Sequence, residues 1–163
     1  MKISKTMEAV INEQITAELW SSNLYLSMSF YMAKEGFPGF AKWLKDQSNE
    51  EKEHAESFAD YLVTRGGTAK IDQINVVPQG WGSVLEVFEH VYEHECHVSE
   101  MVNKMMTQAV EEKDYATQDF MMTFVREQVE EEATSEDLVQ RIKQAGVHGL
   151  LYLDKHLLRT PRG

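Results

Sequence analysis

The sequence predicts an all-α fold: four long helices in two hairpins, one long crossover between them, and a short fifth helix near the C-terminus. Three observations predict it. Apolar residues recur at steps of three and four along four long stretches. Glycine, proline and capping residues punctuate the chain at the ends of those stretches. No credible set of strands and no low-complexity segment competes with that pattern.

The first helix runs from about Ser4 to Lys34 and stops at EGFPG, where Gly36 suits a C-terminal cap and Pro38 the first turn of the next helix. The second ends at Gly66-Gly67. After PQGWGS, Ser83 and Glu86 make a capping box that opens the third helix, which continues to about Glu112. Asp114 caps the fourth, which reaches Ala145 and ends at Gly146; VHGLLYLDKHLL then reads as the short fifth helix before Pro161. The first-to-second and third-to-fourth joints are short and force antiparallel neighbours. The joint from about Gly67 to Gly82 differs: about 16 residues reach roughly 50 Å extended, more than the roughly 43 Å of a helix of about 29 residues. It can cross the whole bundle, so the second and third helices run the same way. Residues 1–163 are expected to form a single domain.

Composition narrows the partners. The chain of 163 residues carries 27 acidic against 16 basic side chains, a net charge of −11. That balance disfavours nucleic acid and anionic membranes and suits cations, although acidic surfaces also simply aid solubility. Cys96 is the only cysteine, which excludes an intramolecular disulfide framework and fits a reducing compartment. The opening MKISKTMEAVINEQITAEL lacks the apolar core of a signal peptide, and no later run is apolar enough to span a membrane, so a cytoplasmic location is expected.

The chemistry lies on the seams. The third helix presents Val84, Phe88, Val91, Glu95, Val98, Val102, Met105 and Ala109, an apolar line broken only by Glu95. The second gives Phe40, Leu44, Gln47, Glu51, His54, Phe58 and Tyr61, placing a carboxylate and an imidazole on the core face as i, i+3 neighbours. The fourth gives Met121, Phe124, Gln128, Glu131, Ser135, Leu138 and Ile142; the first gives Ile11, Ile15, Glu18, Ser22, Tyr25, Ser29 and Met32. Every seam carries a carboxylate, and Glu51, Glu95 and Glu131 fall at matching depths, with Glu18 about a turn away. A single seam glutamate ordinarily snorkels outward, and Tyr25 alone would read as a core tyrosine. Four carboxylates together would cost several kcal/mol per ion if buried without compensation, and a bound cation removes that cost. Carboxylates with one imidazole and no thiolate favour iron or manganese over structural zinc, and two metals best match the charge.

A competing pattern, H-x-x-E-H at His90, Glu93 and His94, matches inverted zinc peptidases. The seam passes through Val91 and Glu95 instead, which turns His90 and Glu93 outward. The run Glu127, Glu130, Glu131, Glu132 is most simply a solvated face on which only Glu131 follows the seam.

The stretches AELWSSNLYLSMS around Glu18 and Tyr25, EEKEHA around Glu51 and His54, HEC at Glu95, and REQVEEEA around Gln128 and Glu131 resemble the bacterial non-haem ferritins, and the resemblance extends over essentially the full chain. It implies a ferritin-like four-helix bundle with the short fifth helix, the architecture of the di-iron ferritin-like proteins. It also implies two irons per subunit: Glu18, Glu51 and His54 would hold one, Glu51 would bridge, and Glu95 with Glu131, helped by Gln128, would hold the second. Glu50, Glu127 and Glu130 match a third, cavity-side iron site. Tyr25 would hydrogen-bond the site or give it an electron.

The resemblance has limits that narrow the family. Haem-carrying bacterioferritins repeat the E-x-x-H pair on the fourth helix, whereas Glu131 is followed three residues later by Thr134. They place a haem-ligand methionine directly after the bridging glutamate, where this chain has Lys52, so no haem is expected. With Cys96 as the only cysteine of these 163 residues, the paired cysteines of a rubredoxin-like tail are not found among them, and a rubrerythrin-type peroxidase is not expected. The implied function is iron storage with ferroxidase activity: ferrous iron is oxidised by dioxygen or hydrogen peroxide, and ferric mineral is kept inside a hollow homo-oligomeric cage of 24 subunits. The alternative is a ferritin-like di-iron peroxidase or oxidase that stores nothing.

Overall fold

The computed structural model describes residues 1–160, and every regular element among them is a helix: α1 (Lys5–Lys34), α2 (Pro38–Thr64), α3 (Val84–Glu111) and α4 (Tyr115–Arg159). Pro161, read from sequence as a stop, lies outside the described residues. By their internal contacts the residues group into two compact units: Met1–Val84 together with the segment from Ala145 onward, and Leu85–Gln144. Among the described residues no helix is long and apolar enough to cross a membrane.

In the first unit, α1 begins where Ser4 Oγ accepts the Met7 N–H at 3.0 Å, satisfying one of the amides that an open helix start leaves bare. It ends at Gly36, whose φ of +89° few other residues would tolerate, and the Phe37 N–H turns back to the Met32 carbonyl. Pro38 opens α2 without any cap from a neighbouring side chain. The cap arrives from far along the chain instead: Asp154 Oδ1 accepts the Phe40 N–H at 2.9 Å. Gly39 permits this approach, since a Cβ there would lie 1.7 Å from the Asp154 carbonyl oxygen. At the other end Gly66, with φ of +81°, and the bond from Gly67 N–H to the Leu62 carbonyl finish α2 where the paired glycines predict.

The α1/α2 hairpin buries Ile11, Ile15, Met28, Met32, Phe40, Leu44 and Phe58 at 2% exposure or less, each contributing about 1.5–3 kcal/mol by leaving water. Its polar stitching is equally specific. Ser22 Oγ donates to the Ser48 carbonyl at 2.8 Å, and Ser48 Oγ donates to the Ser22 carbonyl at 2.7 Å. Nearer the turn, Ser29 Oγ donates to the Ala41 carbonyl. The crossover that follows α2 has no helix or strand, yet both its ends are tied to α1. Asn12 donates to the Thr68 carbonyl and accepts the Lys70 N–H at 2.7 Å; Tyr31 donates its hydroxyl to the Gly82 carbonyl.

The whole expected seam of α3 is buried: Val84, which closes the first unit, and Phe88, Val91, Glu95, Val98, Val102, Met105 and Ala109 of the second are each 5% exposed or less. The tight joint passes through Lys113 at a φ of +55°, and Asp114 then caps α4 by accepting the Thr117 N–H. Gln118 Nε2 donates back to the Ala109 carbonyl, which fixes the hairpin just past its turn. Along α4 the seam residues Met121, Phe124, Gln128, Ser135, Leu138 and Ile142 are buried. Gly146 interrupts the helix with φ +64° and ψ −176°, at the position the sequence gives as a stop. Helical backbone resumes beyond it, so the span numbered α4 comprises two helical stretches divided at Gly146, the second reaching Arg159.

Candidate metal centre

Glu18 of α1 and Glu51 and His54 of α2 come together in the first unit, each offering a ligand atom within 4.8 Å of the others. Both carboxylates are 2% exposed. His54 Nδ1 stands 3.7 Å from Glu18 Oε2 and 3.5 Å from Glu51 Oε2. Those two Oε2 atoms are buried without a hydrogen-bond partner, an arrangement that costs free energy until something cationic takes the lone pairs. The opposite oxygens are satisfied: Gln14 Nε2 donates to Glu18 Oε1 at 2.9 Å, and Gln47 Nε2 donates to Glu51 Oε1 at 3.1 Å.

Electrostatics follows from that crowding. Burial, then the neighbouring Glu18, push the Glu51 pKa from 4.5 up to about 8, with His54 pulling the other way. The folded chain without a cation therefore keeps a proton on Glu51 at neutral pH, and a cation must displace it. Two hard carboxylate oxygens and an imidazole nitrogen, converging with spare lone pairs, form a donor set that fits divalent iron.

The second unit carries its own polar cluster. Glu95 on α3 is 1% exposed and Gln128 on α4 is 7% exposed. Gln128 Nε2 lies 3.2 Å from Glu95 Oε2, from the Glu95 carbonyl and from Ser99 Oγ. Glu131, three residues further along α4, is half-buried. Tyr25 is wholly buried on α1. Of the outer acids, Glu50 and Glu127 are half-buried and Glu130 is exposed. His90 and Glu93 are exposed, as their position off the seam requires. Burial, followed by a hydrogen bond with Glu132, raises the pKa of half-buried Cys96, so it stays an unreactive thiol at neutral pH.

Periodicity misses Gln14 as a site residue, because it flanks the seam of α1. Asking which buried amide lies one turn before each seam carboxylate finds both it and Gln47.

A helical hairpin that buries two glutamates and a histidine around unclaimed lone pairs is a candidate metal site of the kind an all-α, carboxylate-rich bundle can build. Residues 8–145 match the family described as Ferritin-like domain. The chain is 60% identical to the bacterial non-heme ferritin of Bacteroides fragilis (strain 638R) over 155 residues, covering 95% of this chain and 98% of that one. It is 35% identical to the bacterial non-heme ferritin of Campylobacter jejuni, over 97% of this chain and 95% of the relative. An open pore ferritin from Archaeoglobus fulgidus superimposes with a TM-score of 0.96 at 41% identity, covering 98% of this chain and all of that one. The chain belongs to the ferritin family, and its fold class is the all-α, ferritin-like one.

Proposed function

We propose that this protein stores iron and is a ferroxidase, with ferrous iron as its substrate. The observation that carries the reading is the pair of buried, unclaimed carboxylate oxygens, Glu18 Oε2 and Glu51 Oε2, facing His54. Glu18, Glu51 and His54 hold one ferrous ion; Glu95, Gln128 and Glu131 hold a second; Glu50, Glu127 and Glu130 serve a third, cavity-side position. Binding displaces the proton from Glu51. Carboxylates favour the ferric product over the ferrous substrate because each gains more from a higher positive charge, so the ligand set drives oxidation forward. Two ferrous ions give up one electron each, and with two protons these reduce dioxygen to hydrogen peroxide, or hydrogen peroxide to two waters. Tyr25 supplies a buried phenol able to give the site a hydrogen bond or an electron. The ferric product leaves for a mineral held within a homo-oligomeric cage of 24 subunits in the cytoplasm. The absence of a methionine at Lys52 supports a site that works without haem.

Rapid mixing of the metal-free protein with ferrous iron and dioxygen tests the reading. His54→Ala should slow the initial oxidation by about ten-fold or more, as loss of a direct ligand does. Equal initial rates in the variant and the parent would refute the assignment. Iron loading separates storage from its rival: uptake far beyond the few ions the ligands themselves can hold means a ferritin, and arrest at that level means a di-iron oxidase or peroxidase that stores nothing.

A further inference from the structure

Two buried amides each donate to one oxygen of a buried glutamate and leave the other oxygen bare. Gln14 is 4% exposed and Gln47 is wholly buried. Each stands four residues before its carboxylate on the same helix, so one helical turn brings the amide over the carboxyl group. Each spends its Nε2 on an Oε1 atom, 2.9 Å in one case and 3.1 Å in the other. Once ionised, as a bound cation requires, a carboxylate offers only acceptors, so the NH2 end is the one that faces it. What remains on each side is an Oε2 atom with no hydrogen bond, and both of these point toward His54 Nδ1. The two arrangements are copies of one another on adjacent antiparallel helices.

We infer that Gln14 and Gln47 are positioning residues for the iron site: each pins one carboxylate oxygen so that the other converges on the cation. The inference rests on the reading of Glu18, Glu51 and His54 as iron ligands. A carboxylate without its pin rotates about its terminal bond and loses the preset convergence, so a cation must pay the ordering entropy on arrival.

Gln14→Met and Gln47→Met remove the donor while nearly keeping length and volume. Gln14→Asn and Gln47→Asn keep an amide but withdraw it by one methylene, and they stand in for any methionine variant that does not fold. The measurements are anaerobic ferrous iron binding, the concentration of iron giving half-maximal oxidation rate, the visible absorption of bound cobalt(II), and the thermal midpoint of the metal-free protein. Loss of a hydrogen-bonding partner to a metal ligand should weaken iron binding by about 10- to 100-fold and raise the half-saturating iron concentration in step. The cobalt spectrum should shift as the carboxylates change their denticity, with the metal-free midpoint little altered. Unchanged binding and an unchanged cobalt spectrum in both variants overturn the inference. So does weakened oxidation that tracks a lowered metal-free midpoint while the cobalt spectrum stays that of the parent, since that pattern is a packing defect. His54→Ala runs alongside: if it binds and oxidises iron like the parent, the site assignment itself has failed, whereas its failure to do so beside fully active glutamine variants rejects the positioning role alone.

Discussion

Glu51→Gln should reduce the pH dependence of the stability of the metal-free protein between pH 4.5 and about 8. Glu51 is 2% exposed, and burial with the adjacent Glu18 pushes its pKa from 4.5 up to about 8. Between those two values the folded chain holds a proton that the unfolded chain has released. Stability therefore falls as pH rises through that window and levels off above it. At about 1.4 kcal/mol per pH unit the whole shift corresponds to about 5 kcal/mol, and relaxation around a strongly coupled pair brings the expected loss nearer 2–4 kcal/mol. Glutamine keeps the shape and has no proton to lose. Urea titrations of both metal-free proteins at matched concentration, at about pH 5 and about pH 8.5, give the comparison, because other titrating groups cancel in the difference. The variant should be close to the parent at the lower pH and ahead of it by about 2–4 kcal/mol at the higher. Parallel curves would mean that Glu51 is ionised throughout, and the argument that the site stores electrostatic strain would fall.

Two further outcomes follow from positions outside that pair. Glu130→Ala, at an exposed position of α4, should leave the first fast phase of iron oxidation intact in rapid-mixing absorbance and change only later turnover; loss of that phase would place Glu130 at the oxidation site itself. Gly39→Ala should lower the thermal midpoint, since the added methyl meets the Asp154 carbonyl oxygen 1.7 Å away. The strain is expected to cost about 1–3 kcal/mol, toward the upper end because the atom it meets is backbone, and an unchanged midpoint would show that the C-terminal segment is not held there.

Much of this was legible from residue spacing alone. Steps of three and four along α3 give eight positions, and every one is buried, Glu95 included. The same rule brings Glu18, Glu51 and His54 to one place from two helices, because periodicity and burial are two expressions of one geometric fact. Helix ends were legible where a cap is local, as at Ser4 and Asp114. What spacing hides is the contact that reaches across the chain. Nothing near Pro38 announces that the α2 amides find their acceptor at Asp154, more than a hundred residues on. Asn12 reads as one more polar residue of α1 until it is seen holding both Thr68 and Lys70. Gln14 escapes for a related reason: its role is set by a partner's unused lone pair, and a hydropathy pattern carries no record of that.

The reciprocal bonds between Ser22 and Ser48 join two helices through side chains that donate to each other's main-chain carbonyls. Ser22 comes one turn after Glu18, and Ser48 just under one turn before Glu51. Sliding one helix along the other by even a single residue would break both bonds at once, which makes the pair a ratchet pawl with one tooth engaged. Shear between α1 and α2 is thereby closed off as a mode of motion close to the carboxylates. If Glu18, Glu51 and His54 take an ion as proposed, its entry and exit would be accommodated by rotation of those side chains, movements fast enough that traffic need not wait for the backbone.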